Sequence, residues 1–79
     1  MARVLLFGRL ADQAGWRDRM VEASTLTALR DALAADDPDL AEALSGPGVQ
    51  VAVDKAIVRG EAALAAATEV AFLPPMSGG

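Results

Sequence analysis

The sequence predicts an α+β fold in which a mixed sheet packs against one main helix. Residues 3–8 and 70–73 are short runs of bulky apolar residues, and residues 49–53 alternate with a period of two, as strands do. Residues 26–33 instead carry leucines at three- and four-residue spacing, the pattern of an amphipathic helix. Strands near both ends and one strong helix between them favour a helix layered on one face of a sheet.

The first predicted strand, residues 3–8, is apolar on both faces. Because side chains alternate along a strand, Val4 and Leu6 point one way and Leu5 and Phe7 the other. Residues 10–14 predict a loop or helical turn that ends at a glycine, and residues 19–22 predict a second strand. The short connection between the two strands suits a hairpin.

The main helix has a clear start and a clear end. Thr25 can cap it through its hydroxyl, and Arg30 and Asp31 lie opposite the leucine stripe, so we expect them to face solvent. Asp37 and Pro38 stop this helix and can begin a short second one, since aspartate is a good cap and proline suits the first helical position.

The second half of the chain supplies the remaining strands. Residues 45–48 predict a loop, and a two-residue turn joins the strand at residues 49–53 to another at residues 56–58. We expect the alanine-rich segment 61–67 to form a short helical turn before the last strand.

Composition limits the function. The 79 residues, 53% of them hydrophobic, predict a single folded domain over residues 1–73 and a flexible C-terminal tail over residues 74–79. The absence of cysteine and histidine removes disulfides, thiolate nucleophiles and the commonest metal ligand, so we expect no metal and no cofactor bound by this chain. A net charge of −4 argues against nucleic acid, and no apolar run is long enough for a membrane span, so we expect a cytoplasmic protein.

The C-terminal tail is the segment whose residues suggest a chemical reaction. Pro74 and Pro75 end the last strand because proline has no N–H to donate, so the chain beyond should project away from the sheet. Gly78 and Gly79 have no side chain and can pass through a narrow channel, which leaves the terminal carboxylate as the functional group. This carboxylate is ionised and must be activated, for example as an acyl-adenylate, before a sulfur or amine nucleophile can attack it. A frayed end is the competing interpretation.

One helix covers one face of a sheet. The opposite face should carry four apolar side chains that form an interface candidate: Leu5, Phe7, Ile57 and Leu73. Packing in the core is the alternative for each of them.

Residues 4–10 (VLLFGRL) and 69–79 (EVAFLPPMSGG), together with the strand order and the capped helix, resemble a known family. They are similar to the small subunits of molybdopterin synthase, which are sulfur carriers with a ubiquitin-like β-grasp fold. The resemblance extends over essentially the whole chain. Thiamine-type carriers share the diglycine but usually lack the Phe-x-Pro-Pro sequence before it.

The resemblance implies a cycle of sulfur transfer. A ubiquitin-activating-enzyme-like adenylyltransferase uses ATP and magnesium to adenylate Gly79, and a sulfurtransferase converts the terminus to a thiocarboxylate. The tail then enters the large subunit of molybdopterin synthase, where the sulfur passes to a pyranopterin. The resemblance also implies roles for further residues: threading for Gly78, Ser77, Met76, Pro75 and Pro74, and docking for Phe7, Ile57 and Leu73.

Two positions depart from the family pattern. Asp54 stands where the family often has asparagine, and Ala67-Thr68 stands where a Gly-Asp turn usually precedes the last strand. Three alternatives stay open: a sulfur carrier for thiamine or cysteine synthesis, a ubiquitin-like modifier that forms isopeptide bonds with lysines, and a binding module with an idle tail.

Overall fold

The structure, a computed structural model, describes residues 1–75, and in this part five strands form one mixed sheet that packs against three helices. In chain order the elements are β1 (Ala2–Leu6), α1 (Gly8–Ala14), β2 (Asp18–Val21), α2 (Leu26–Asp36), α3 (Pro38–Leu44), β3 (Gln50–Val53), β4 (Ala56–Val58) and β5 (Glu69–Leu73). The strand order is β2-β1-β5-β3-β4, with β1 and β5 parallel and the other neighbours antiparallel. The predicted mixed sheet is confirmed.

The hydrophobic core lies between the sheet and the helices. Leu6 of β1, Phe72 of β5 and Val51 of β3 are side by side in the register and therefore point to the same face. Phe72 is fully buried there, under the leucines of the three helices: Leu10, Leu26, Leu29, Leu33, Leu40 and Leu44. The opposite face of the sheet has no helix over it in residues 1–75, and we call it the open face.

Both predicted helix caps are present. The Thr25 hydroxyl accepts a hydrogen bond from the Ala28 N–H (3.1 Å), and the Asp37 carboxylate accepts one from the Leu40 N–H (3.1 Å). Each bond satisfies an amide that the first turn of the helix leaves without a partner. Pro38 occupies the start of α3, as predicted.

The β3–β4 turn ties this hairpin to β5. Asp54 and Lys55 have φ values of 47° and 72°, and two such left-handed residues form the turn that suits a two-residue hairpin. Asp54 also pairs with Glu69 at the start of β5, donating its N–H to the carbonyl oxygen (2.8 Å) and accepting the Glu69 N–H on its carboxylate (2.9 Å). The aspartate that departs from the family pattern therefore holds a structural position.

The helical turn expected over residues 61–67 is wrong. Residues 61–65 are instead extended and bond to the chain before α2, with the Leu64 N–H donating to the Ser24 carbonyl (2.9 Å) and the Leu26 N–H donating to the Ala62 carbonyl (2.9 Å). Pairing in this way buries Leu64. The turn that follows is closed by Thr68, whose hydroxyl accepts the Ala65 N–H at 2.8 Å.

Arg30, which the spacing places opposite the leucine stripe, is only partly exposed to solvent. Its side chain is half-buried, with the guanidinium carbon 5.2 Å from the centre of the Phe72 ring. An arginine can cover a ring in this way because its charged group stays near water while its stem and planar head contact apolar surface.

Candidate functional site

The C-terminal tail leaves from the central strand of the sheet. β5 is bonded to β1 on one side and to β3 on the other, so two strands fix the position of its end, with Phe72 in register with Leu6 and Leu73 in register with Gln50. The resemblance implies activation of Gly79 and threading of the residues before it. Four of these tail residues lie outside the described residues: Met76, Ser77, Gly78 and Gly79. Pro74 and Pro75 are described, and we call these two residues the tail root.

The tail root packs against the domain, whereas the predicted projection of the chain beyond it concerns residues 76–79, which lie outside the described residues. Both prolines are half-buried. Pro74 lies against Gly8, which follows β1, and Pro75 lies against Gly48, which precedes β3. Proline ends the hydrogen-bonded ladder but not the packing, because its ring still contacts the residues beside it.

Beside the tail root, the open face carries an apolar patch formed by Leu5, Phe7, Ile57 and Leu73. Phe7 and Ile57 are 43% and 48% exposed, and Leu5 and Leu73 are half-buried. The structure thus brings together, on one face, the four residues that the strand alternation grouped. Their role in binding a partner stays a prediction.

Small residues form the floor of this patch. Leu5 is in register with Ala71, Ala71 with Ala52, and Ala52 with Ile57, so these side chains form one row across four strands. The two alanines lie between larger side chains and create a shallow depression that a protruding apolar side chain of a partner can fill. The sequence analysis did not single out the two alanines, because strand alternation does not show whether a small side chain lies in an exposed patch or in the core.

The open face becomes charged away from the tail. The Arg3 Nε donates to the Asp18 carboxylate at 3.0 Å, and Glu69 lies 4.0 Å from the same guanidinium. The hydrogen bond from Arg3 lowers the pKa of Asp18, and the bond to Asp18 raises the pKa of Arg3. Arg3 and Asp18 therefore form a charged border on the side of the open face away from the tail root.

Within residues 1–75, no group of three or more acidic, cysteine or histidine side chains is arranged to hold a metal ion. The same residues contain no helix long and apolar enough to cross a membrane. The whole sequence contains no histidine or cysteine, so it offers neither an imidazole base nor a thiolate nucleophile.

Comparisons with known proteins agree with the fold described above. The model of the ThiS family matches residues 4–79. The crystal structure of SAMP1 from Haloferax volcanii has a TM-score of 0.86 and 30% sequence identity, over 99% of this chain and 98% of that chain. No curated protein matches the sequence significantly.

Two further solved structures are similar. The small archaeal modifier protein 1 of Methanosarcina acetivorans has a TM-score of 0.86 over 99% of this chain and 95% of its own, and at 21% identity this likeness concerns the fold alone. CysO of Mycobacterium tuberculosis has a TM-score of 0.79 and 25% identity, over 96% of this chain and 100% of that chain. This chain belongs to the ThiS family and has the ubiquitin-like β-grasp fold of sulfur carriers and protein modifiers.

Proposed function

We propose that this protein is the sulfur-carrying small subunit of a cytoplasmic molybdopterin synthase. The observation that carries the proposal is the position of the tail root, which continues the central strand beside an exposed apolar patch. A partner that docks on the patch therefore has the tail beside it. In this arrangement the domain supplies recognition and the tail supplies the reacting group.

The chemistry takes place at Gly79 in the active sites of partners. In the adenylyltransferase, which uses ATP and magnesium, the terminal carboxylate attacks the α-phosphorus of ATP, pyrophosphate leaves and an acyl-adenylate forms. A sulfur nucleophile supplied by a sulfurtransferase then attacks the carbonyl carbon. The new C–S bond replaces the bond to AMP, and the terminus becomes a thiocarboxylate.

The second half of the cycle takes place in the large subunit of the synthase. The thiocarboxylate sulfur attacks a carbon of the pyranopterin and displaces an oxygen substituent from it, which gives a thioester. Water then cleaves the thioester, so that the sulfur stays on the pyranopterin and Gly79 returns as a carboxylate. The pyranopterin is favoured as acceptor by the Phe-x-Pro-Pro sequence at residues 72–75, which distinguishes the ending from that of thiamine-type carriers.

The decisive experiment measures the intact mass of the protein after incubation with the adenylyltransferase, magnesium, ATP and inorganic sulfide. We expect a gain equal to the mass difference between one sulfur and one oxygen atom. Loaded protein should then convert the pyranopterin precursor in the presence of the large subunit. A loaded protein that serves a thiamine or cysteine enzyme instead would overturn the choice of acceptor and leave the carrier chemistry intact.

A chain that lacks Gly79 is the matched control. It should keep the melting temperature of the full chain, because residue 79 lies beyond the packed tail root. It should also compete with the full chain for the adenylyltransferase, because the apolar patch is unchanged, yet it should gain no sulfur. Sulfur gain by the shortened chain would contradict the role of Gly79.

The similarity to Haloferax SAMP1, at 30% identity over nearly the whole of both chains, favours a second candidate function, that of a protein modifier. A lysine amine would attack the same acyl-adenylate, release AMP and form an isopeptide bond. The chain has a single lysine, Lys55, exposed at the tip of the β3–β4 turn. Chains of linked copies can therefore form only through Lys55 or the N-terminal amine.

Conjugates in cell extract distinguish the two functions. A modifier should give higher-mass species that vanish when Gly79 is deleted, and any linked copies through Lys55 should vanish in Lys55→Arg. A carrier should give the thiocarboxylate without such conjugates.

A further inference from the structure

Two glycines from opposite sides of β5 enclose the tail root. Because β1 is parallel to β5, the residue after its end, Gly8, lies beside Pro74. Because β3 is antiparallel to β5, the loop before its start places Gly48 beside Pro75. The two glycines are 40 positions apart in sequence, yet the topology brings both to the point where the tail leaves the sheet.

The contact at Gly48 leaves no space for a side chain. A Cβ atom built on Gly48 would lie 2.6 Å from the Pro75 Cβ and 3.5 Å from its Cα. Two carbon atoms normally approach no closer than about 3.5 Å. An alanine at position 48 would therefore displace Pro75 or the loop that carries residue 48.

The contact at Gly8 is of the same kind but less severe. A Cβ atom there would lie 3.0 Å from the Pro74 Cγ. Gly8 and Gly48 also have left-handed backbone conformations, with φ values of 56° and 84°. Glycine tolerates this conformation, and at these positions it additionally lets the proline rings approach the backbone.

We propose that Gly8 and Gly48 are positioning residues that set the direction in which the tail leaves β5. The two glycines contact the two prolines, and we call this pair of contacts the seat. Because φ is fixed in each proline, the seat determines the direction of the chain up to the end of Pro75. The seat acts on the terminus through the prolines and does not touch the reacting atoms. This inference rests on the proposed activation of Gly79.

Gly15 provides a matched control within the same chain. Its φ of 85° is nearly that of Gly48, but a Cβ atom at Gly15 would have no neighbour within 4 Å. Gly15→Ala and Gly48→Ala therefore each place an alanine at nearly the same positive φ, and they differ in the contact with Pro75. A difference in kcat between the two variants therefore measures the effect of the contact between residue 48 and Pro75.

The test measures the steady-state kinetics of thiocarboxylate formation with the adenylyltransferase, ATP and inorganic sulfide. We expect Gly48→Ala to lower kcat by about 10- to 100-fold, since a misplacement of about 1 Å can cost about 100-fold in rate. KM for the carrier should stay within about twofold because the apolar patch is intact. Gly15→Ala should keep the kcat of the unmodified protein. Equal kcat values for both variants would overturn the proposal.

Pro75→Gly tests the same contact from the tail if Gly48→Ala does not fold. This variant removes the ring and leaves both glycines unchanged, so we expect the same loss in kcat with little change in KM. An unchanged kcat would overturn the proposal.

A nuclear Overhauser measurement tests the seat without any partner. In the unmodified protein we expect a cross-peak between the Gly48 Hα and Pro75 Hβ protons, and its absence would overturn the proposal. Failure of the proposed function gives a different result, because the unmodified protein would then gain no sulfur while the cross-peak persists.

Discussion

Truncation of Ile57 to alanine separates partner binding from folding. Complete burial of an isoleucine side chain contributes about 1.5–3 kcal/mol to stability. Because Ile57 is 48% exposed, its burial contributes only about half of this free energy. An alanine side chain at the same position would keep a small part of that contribution. We expect Ile57→Ala to lower the free energy of unfolding by about 1 kcal/mol, which corresponds to a fall of about 4–8 °C in Tm for a domain of this size.

The same truncation should have a larger effect on binding. Truncation of a hot-spot side chain near the centre of an interface costs about 2 kcal/mol or more, which is more than tenfold in Kd. We expect Ile57→Ala to weaken binding to the adenylyltransferase by about tenfold or more in isothermal titration calorimetry. The control is Met20→Ala, because Met20 is equally exposed, at 50%, and lies on β2 at the opposite edge of the sheet. It should leave Kd within about twofold.

Two results would refute this reasoning. A loss of more than about 3 kcal/mol on unfolding would mean that Ile57 belongs to the core, since that is the range for fully buried large side chains. An unchanged Kd with the expected small loss of stability would mean that partners dock elsewhere. Phe72→Ala calibrates the first comparison, because Phe72 is fully buried and its truncation should cost about 3–5 kcal/mol.

Three further predictions concern the elements that hold the site in place. Thr25→Ala should lower stability by about 1 kcal/mol in urea unfolding, because it removes the cap of α2. Asp54→Asn should change stability by less than about 0.5 kcal/mol, since asparagine keeps the acceptor for the Glu69 N–H and tolerates a positive φ, whereas Asp54→Ala should cost about 1–2 kcal/mol. Hydrogen bonds from Thr27 lower the pKa of Glu61, so its contribution to stability is present above the ordinary value of 4.5 and is lost as pH falls through the lowered pKa. In thermal melts, the advantage of the unmodified protein over Glu61→Gln should therefore shrink as pH falls below 4.5.

The elements that the sequence predicted correctly are those with local causes. Thr25 and Asp37 cap their helices through bonds to amides three residues away, and the two-residue turn after Val53 needs only its own backbone conformation. Strand alternation likewise requires no knowledge of the partner strand, and it grouped Leu5 with Leu73 correctly on the open face.

The features that the sequence did not predict depend on distant partners. Residues 61–65 are extended because they bond to the chain before α2, 40 positions earlier in the case of Leu64 and Ser24. Their alanines have high helix propensity, and this local preference is outweighed by the backbone bonds and by the burial of Leu64. Arg30 is half-buried because Phe72 lies beneath it, which no helical pattern reveals.

The tail root illustrates the same limit at the candidate site. A sequence of two prolines predicts the end of the ladder, but it does not show that Gly8, after β1, and Gly48, before β3, face those prolines. The signal was present in part, since Gly8 belongs to the segment that resembles the family, although nothing in the segment connects Gly8 to Pro74.

A central strand is well suited to carry a reactive terminus. An edge strand is bonded on one side and can fray or shift, whereas β5 is bonded along both sides and its end is further enclosed by Gly8 and Gly48. Phe72, two residues before the tail root, is fully buried, so the tail root is anchored directly to the hydrophobic core. We therefore expect sequence changes after the end of β1 or before the start of β3 to act on the tail through Pro74 and Pro75, although neither segment contains a reactive group.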